Sequence, residues 1–184
     1  MKRNFVLAAC ALFVFAITGV GQDKTANFSG TWTLDVSKSK LGDRNNIESQ
    51  VLTVTQSDKD IKIETATKRL PPPADAPQGR RGRTGGGMMG GGDGTTTYSL
   101  DGKETKTEVS GPMGSMPVTL KAKFEGGKLN LTRTSSFSGP MGDVTMSSKE
   151  TWELSADGKT LTVNSERSSP RGNESTTKIF TKKS

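Results

Sequence analysis

From residue 28 onward the chain is written in short stretches where apolar and polar residues alternate with a period of two, cut at intervals by Asp, Gly and Ser. Strict alternation marks antiparallel strands with one buried and one solvated face. Such stretches fall near 28–36, 47–56, 60–67, 95–101, 103–110, 117–125, 128–137, 143–154, 159–167 and 174–182, about ten strands, with no convincing amphipathic helix among them. The turns at Ser57-Asp58-Lys59-Asp60, Asp101-Gly102, Gly126-Gly127 and Ala156-Asp157-Gly158 suit hairpins, since paired Asp-Gly and Gly-Gly tolerate positive φ. The predicted fold is all-β: an antiparallel up-and-down meander closed into a small barrel of about eight to ten strands. An open sheet of that size would leave its edges unprotected, and closure removes them. A two-sheet sandwich is the structural alternative.

The register follows by arithmetic. With Gly126-Gly127 as the turn, Phe124 faces Leu129, Ala122 faces Leu131, Leu120 faces Arg133 and Val118 faces Ser135. The loop near Pro140-Met141 then sets Phe137 against Val144, Ser135 against Met146, Arg133 against Ser148, Leu131 against Glu150 and Leu129 against Trp152. Beyond the Asp-Gly turn the same reasoning places Trp152 opposite Leu161 and Glu150 opposite Val163. All strong apolar residues of these strands share one face. The other face, including Lys121, Lys123, Lys128, Lys149 and Glu153, is polar, and a slip of one residue would invert both. Most lysines are therefore solvent-facing and do not form a binding patch.

The opening "MKRNFVLAACALFVFAITGVGQDKT" has two basic residues, an apolar run from Phe5 to Val20 and a polar start. These are the parts of a secretory signal peptide. The run is shorter than the roughly 20 residues a membrane span needs. We expect a signal at 1–21, cleavage before Gln22, and a single barrel domain at 22–184 in the periplasm or secreted from a bacterial cell. Leu7-Ala8-Ala9-Cys10 looks like a lipobox, but too little apolar chain precedes Cys10 and another apolar block follows it. No disulfide is then available, and stability rests on the core.

Phe28-Ser29-Gly30-Thr31-Trp32-Thr33-Leu34-Asp35, on the first strand, resembles the opening Gly-x-Trp segment of the lipocalins and the wider calycin superfamily. The resemblance implies a bend at Gly30 and a tryptophan, Trp32, that plugs one end of the barrel beneath a ligand cavity. In lipocalins a basic residue on the last strand packs on that tryptophan. Lys178 and Lys182 are the candidates here, with Arg167 and Arg171 lying before that strand. The spacing between the first two strands is too short for the helix pair of fatty-acid-binding proteins.

A small barrel is either solid or encloses a ligand. The register stacks the inner face in layers, with Phe124, Leu129, Trp152 and Leu161 at one end and Met116, Phe137, Val144 and Met146 at the other. Arg133, Ser135, Ser148, Glu150 and Ser165 lie between them. Small and polar residues inside an apolar wall are how a pocket with a few orienting groups is built. The candidate binding residues are Arg133, Glu150, Ser135 and Ser148, with Phe137, Met146, Leu120 and Tyr98 completing the lining. Trp152 joins Gly30 and Trp32 as a structural plug. Arg133 and Glu150 lie diagonally on adjacent strands. They read either as an internal ion pair or as a site where Arg133 holds the acid group of an amphiphile.

Enzymatic readings find little support. There is no histidine in the chain, which removes the commonest general base and metal ligand. No nucleophile elbow or phosphate-binding loop is present, and Asp58 and Asp60 lack the rest of a calcium loop. No catalytic residue, cofactor or metal is expected. The expected function is an exported monomer that binds or carries a small, mainly apolar or amphiphilic ligand. A structural or protein-interaction barrel of the cell envelope with a filled core is the alternative.

One segment departs from the pattern. "GRRGRTGGGMMGGGDG", 79–94, follows "LPPPADAP" and holds three arginines and nine glycines. With so little apolar content, the connection 68–94 is expected to be a disordered Pro/Gly/Arg-rich loop. Arginine-glycine segments that bind nucleic acid normally repeat and interleave aromatics, and no aromatic residue lies between Lys68 and Thr97. Nucleic acid is therefore not an expected partner, although the three arginines could still make weak contact with an anionic envelope surface.

Overall fold

The computed structural model describes residues 26–42, 46–71, 93–111, 114–139, 142–170 and 172–183. The expected signal at 1–21 and most of the 68–94 loop lie outside the described residues. Ten strands follow one another: β1 (Gly30–Leu34), β2 (Ile47–Gln56), β3 (Asp60–Arg69), β4 (Gly94–Ser99), β5 (Glu104–Gly111), β6 (Gly114–Glu125), β7 (Lys128–Gly139), β8 (Gly142–Leu154), β9 (Thr160–Ser169) and β10 (Gly172–Lys182). They form one antiparallel sheet in the order β4-β3-β2-β1-β10-β9-β8-β7-β6-β5. Every neighbouring pair is consecutive in sequence except β1 with β10, whose ladder from Trp32↔Lys182 to Leu34↔Phe180 joins the two ends of the meander. The result is a nearly closed barrel.

The ladders of β6, β7 and β8 carry the predicted register residue for residue, from Val118↔Ser135 through Leu129↔Trp152. The β8–β9 ladder differs by two. Trp152 pairs with Val163, Glu150 with Ser165, and Leu154 with Leu161. The connection centres on Asp157-Gly158, with Gly158 at φ +66 and the Ser155 hydroxyl accepting the Thr160 N–H at 2.9 Å. A shift of two leaves each side chain on its predicted face.

The break falls between β4 and β5, where Asp101-Gly102 was expected to make a hairpin. The chain does turn there, with Asp101 Oδ1 accepting the Lys103 N–H at 2.9 Å. The end of β4, however, is tied the other way, because the Leu100 N–H donates to the Lys59 carbonyl at 2.6 Å. β4 thus stays on β3, and among the described residues β5 pairs with β6 alone.

β3 runs two residues past the predicted loop boundary, with Lys68 and Arg69 opposite Ser49 and Ile47. Thr65 pairs with Gly94, and the Asp93 carboxylate accepts the Thr67 N–H. The β3–β4 hairpin is therefore fastened where the long connection departs and where it returns. Deleting Pro71 to Gly92 and bridging the ends with a short turn is expected to leave the thermal midpoint unchanged or raised by a few degrees, because a shorter connection costs less closure entropy. Loss of cooperative melting would show that the segment is needed to fold.

The core gathers at one end around Phe28, just before β1. Its ring packs edge-on to Trp152, with centroids 5.9 Å apart, and stacks near Phe124 at 6.3 Å. Its carbonyl accepts the Trp32 indole N–H at 2.9 Å, and its own N–H donates to Gln56 Oε1 at 2.9 Å. Trp32 is 0% exposed, and Lys182 Nζ sits 5.2 Å from the ring centroid, the geometry of a cation–π contact. Gly30, at φ +138, lets this lysine pass, since a Cβ there would come within 2.7 Å of Lys182 Cε. Lys182, of the candidates, is thus the residue that covers Trp32. On the outer face, lysines pair with carboxylates, as in Lys128–Glu153 at 2.8 Å and Lys68–Glu48 at 2.7 Å. Exposed pairs of this kind add little stability.

Candidate functional site

Strands β6 to β10 set the inner face in rows. One row reads Leu120, Arg133, Ser148, Arg167 and Glu174; the next reads Ala122, Leu131, Glu150, Ser165 and Thr176; a third reads Phe124, Leu129, Trp152, Val163 and Lys178. The polar groups therefore sit in a belt backed by the aromatic end of the core. Arg133 is 8% exposed, and Ser135, Ser148 and Leu120 are buried with it. Met146 is half-buried. Phe137 pairs with Val144 through the backbone, and its side chain lies outside the described set.

Of the two readings of Arg133 and Glu150, the ion pair is not formed among the described residues. Glu150 Oε2 instead accepts the Trp152 indole N–H at 2.9 Å. Both residues stand on β8 two positions apart, so their side chains share a face. A buried indole N–H needs an acceptor, and Glu150 lies nearest along the strand, whereas Arg133 is one row away. Arg133 is left with Nε buried and without a hydrogen-bond partner, and among the described residues it forms no ion pair.

β4 brings Tyr98, which is buried, toward the same two charges. Burial pushes its phenol well above the usual tyrosine range, the Glu150 charge adds to this, and Arg133 opposes it. The linked stability follows. Below about pH 10 both folded and unfolded chains keep the phenolic proton; above it the unfolded chain loses the proton first, so stability falls as pH rises. Tyr98 is the chain's single tyrosine, so tyrosinate absorbance reports on it alone. Absorbance is expected to appear only as the protein unfolds in alkali, and Tyr98→Phe is expected to flatten the alkaline fall in stability. Free titration near pH 10 with the fold intact would place Tyr98 outside the interior.

No protein-family model matches the chain, and no curated protein matches it. Among solved structures, zebrafish ileal bile acid-binding protein complexed with cholic acid is similar at 18% identity. The match covers 85% of this chain and 98% of that one, with a TM-score of 0.45.

Two polar residues absent from the predicted site belong to this belt. Lys178, half-buried on β10, donates from Nζ to Gln50 Oε1 at 3.1 Å. Gln50 is 2% exposed and donates in turn to Thr67 Oγ1 at 2.9 Å. Burial lowers the Lys178 pKa; Glu150 works against that, and the charges of Arg167 and Arg69 reinforce it. Arg133, Lys178, Arg167 and Arg69 thus share inner-facing positions with Glu150, while Glu174, opposite Arg167, is exposed. The belt is richer in cations than in carboxylates. The signal for Lys178 was the Thr176, Lys178, Phe180 alternation of β10, where a lysine stands in an inward position.

Proposed function

We propose that this protein is a non-enzymatic, lipocalin-like carrier that holds a small amphiphile inside its barrel, apolar body against the core and anionic head against Arg133. The observation that carries the reading is Arg133, a residue only 8% exposed whose Nε is buried without a hydrogen-bond partner. An uncompensated charge in such a place is costly. A carboxylate or similar acid group would supply the missing acceptors in the planar fork geometry that arginine favours. Ser135 and Ser148 flank that position on the ladder and supply hydroxyl groups, while Leu120, Leu131 and Val163 supply apolar wall. The apolar run from Phe5 to Val20 supports export, with the protein acting as a monomer in the periplasm or outside a bacterial cell.

Native mass spectrometry of the protein purified from its own host, followed by solvent extraction, tests the proposal. A bound anionic amphiphile is expected in the wild-type protein and absent from Arg133→Ala. An empty wild-type protein in which Arg133→Ala changes only stability would overturn it in favour of a filled structural barrel.

A further inference from the structure

Lys178 is the interior group to which the carrier reading gives no task. It leaves β10 in the row that contains Val163 and Trp152, between the buried Val163 and Phe180. Its amine is held in place by Gln50, which is itself anchored by Thr67. An ammonium carries three donors, yet among the described residues this amine makes one hydrogen bond, to a neutral amide, and no ion pair. The charges that bear on it are Glu150 from β8, Arg167 from β9 and Arg69 from β3, two of the three repulsive. Burial against the apolar wall favours the neutral amine, the form that attacks carbonyl carbon; Glu150 opposes it, and Arg167 and Arg69 add to it.

We infer that Lys178 forms a reversible imine with carbonyl-bearing amphiphiles, so that the barrel captures long-chain aldehydes covalently. The Nζ lone pair adds to the carbonyl carbon while the carbonyl oxygen takes up a proton, giving a carbinolamine. The C–O bond then breaks, the oxygen leaves as water with the two hydrogens that the amine contributed, and a C=N bond remains. Nothing is oxidised or reduced, and hydrolysis reverses the sequence. This inference shares the interior with the carrier reading but does not require an acid head group.

The test uses the full chain with decanal as probe, sodium cyanoborohydride to fix any imine, and peptide mapping to locate it. At neutral pH, Lys178 is expected to label faster than exposed lysines such as Lys38 and Lys62, since a lowered pKa leaves more of the amine neutral. Lys178→Arg is expected to lose that fast adduct alone. Labelling spread over all lysines according to exposure, or an undiminished fast phase in Lys178→Arg, would overturn the inference. The wild-type labelling ratio needs no variant, so a misfolded substitution does not blunt the test. Decanoic acid binding, followed by displacement of a fluorescent fatty acid, separates the two proposals. Acid that binds without aldehyde trapping sinks the imine and leaves the carrier; trapping at Lys178 without acid binding sinks the Arg133 head-group assignment and leaves the imine.

Discussion

Replacing Trp32 with alanine is expected to lower the unfolding free energy by about 3–5 kcal/mol. The indole is completely buried, so its removal forfeits its transfer energy and leaves a cavity that the barrel wall cannot readily fill. Two further losses come with it. The Phe28 carbonyl loses the indole N–H that it accepts, and Lys182 loses the ring face beneath it. Domains of this size are stable by only about 5–15 kcal/mol, so this one substitution brings the fold near its limit. Urea unfolding followed by far-ultraviolet circular dichroism is the suitable readout, because fluorescence would lose one of its two tryptophans. Trp32→Phe keeps an aromatic ring while losing the N–H and part of the ring volume, and its cost is expected to be clearly smaller. If Trp32→Ala cost less than about 1 kcal/mol, the plug role of this residue would be wrong.

The second large effect is a division between binding and stability at Arg133. Arg133→Met keeps a long side chain and removes the charge. The ligand-free protein is expected to be unchanged or stabilised by about 1–4 kcal/mol, as when buried charges give way to packed apolar groups. Affinity for decanoic acid is expected to fall by about tenfold to a hundredfold, the equivalent of one or two charge-assisted hydrogen bonds. Calorimetric titration and thermal melting of delipidated protein measure the two quantities separately. A variant that binds as well as wild type but melts much earlier would assign Arg133 a purely structural role.

The in/out pattern of β6, β7 and β8 was legible because those strands alternate strictly and their turns are short. Two chemical facts then fix both face and register. Legibility failed where a local geometry breaks the alternation. β2 carries a register irregularity between Ile47 and Ser49, so Ile47 packs against the core together with the even-numbered Leu52 and Val54. Gln50 shares the even parity of Leu52 and Val54 but, being polar, stood outside the apolar pattern. Asp101-Gly102 does make a turn, but the Leu100 N–H is claimed by the β2–β3 connection, a competition between distant groups that no turn motif encodes. The site was half legible. Arg133, Ser135, Ser148, Leu120 and Tyr98 are all buried, and of the two readings open for Arg133 the ion pair with Glu150 is absent among the described residues. Diagonal spacing permits an ion pair, and the sequence does not reveal that an indole two residues along the same strand takes the carboxylate first. Phe28 was quoted within the Gly-x-Trp stretch but not singled out, since it precedes the strand that the motif describes.

The ladder between β1 and β10 has a kinetic consequence. Hairpins joined by tight turns, such as β6–β7, close small loops, whereas bringing Trp32 beside Lys182 closes a loop nearly as long as the domain. Loop closure is an entropy that must be met before its contacts are gained. The indole's burial, its hydrogen bond to Phe28 and its cationic cover all lie at or beside that seam. The contacts around Trp32 are thus made at the pairing that is hardest to reach, and they become available only when both ends of the meander have been brought together.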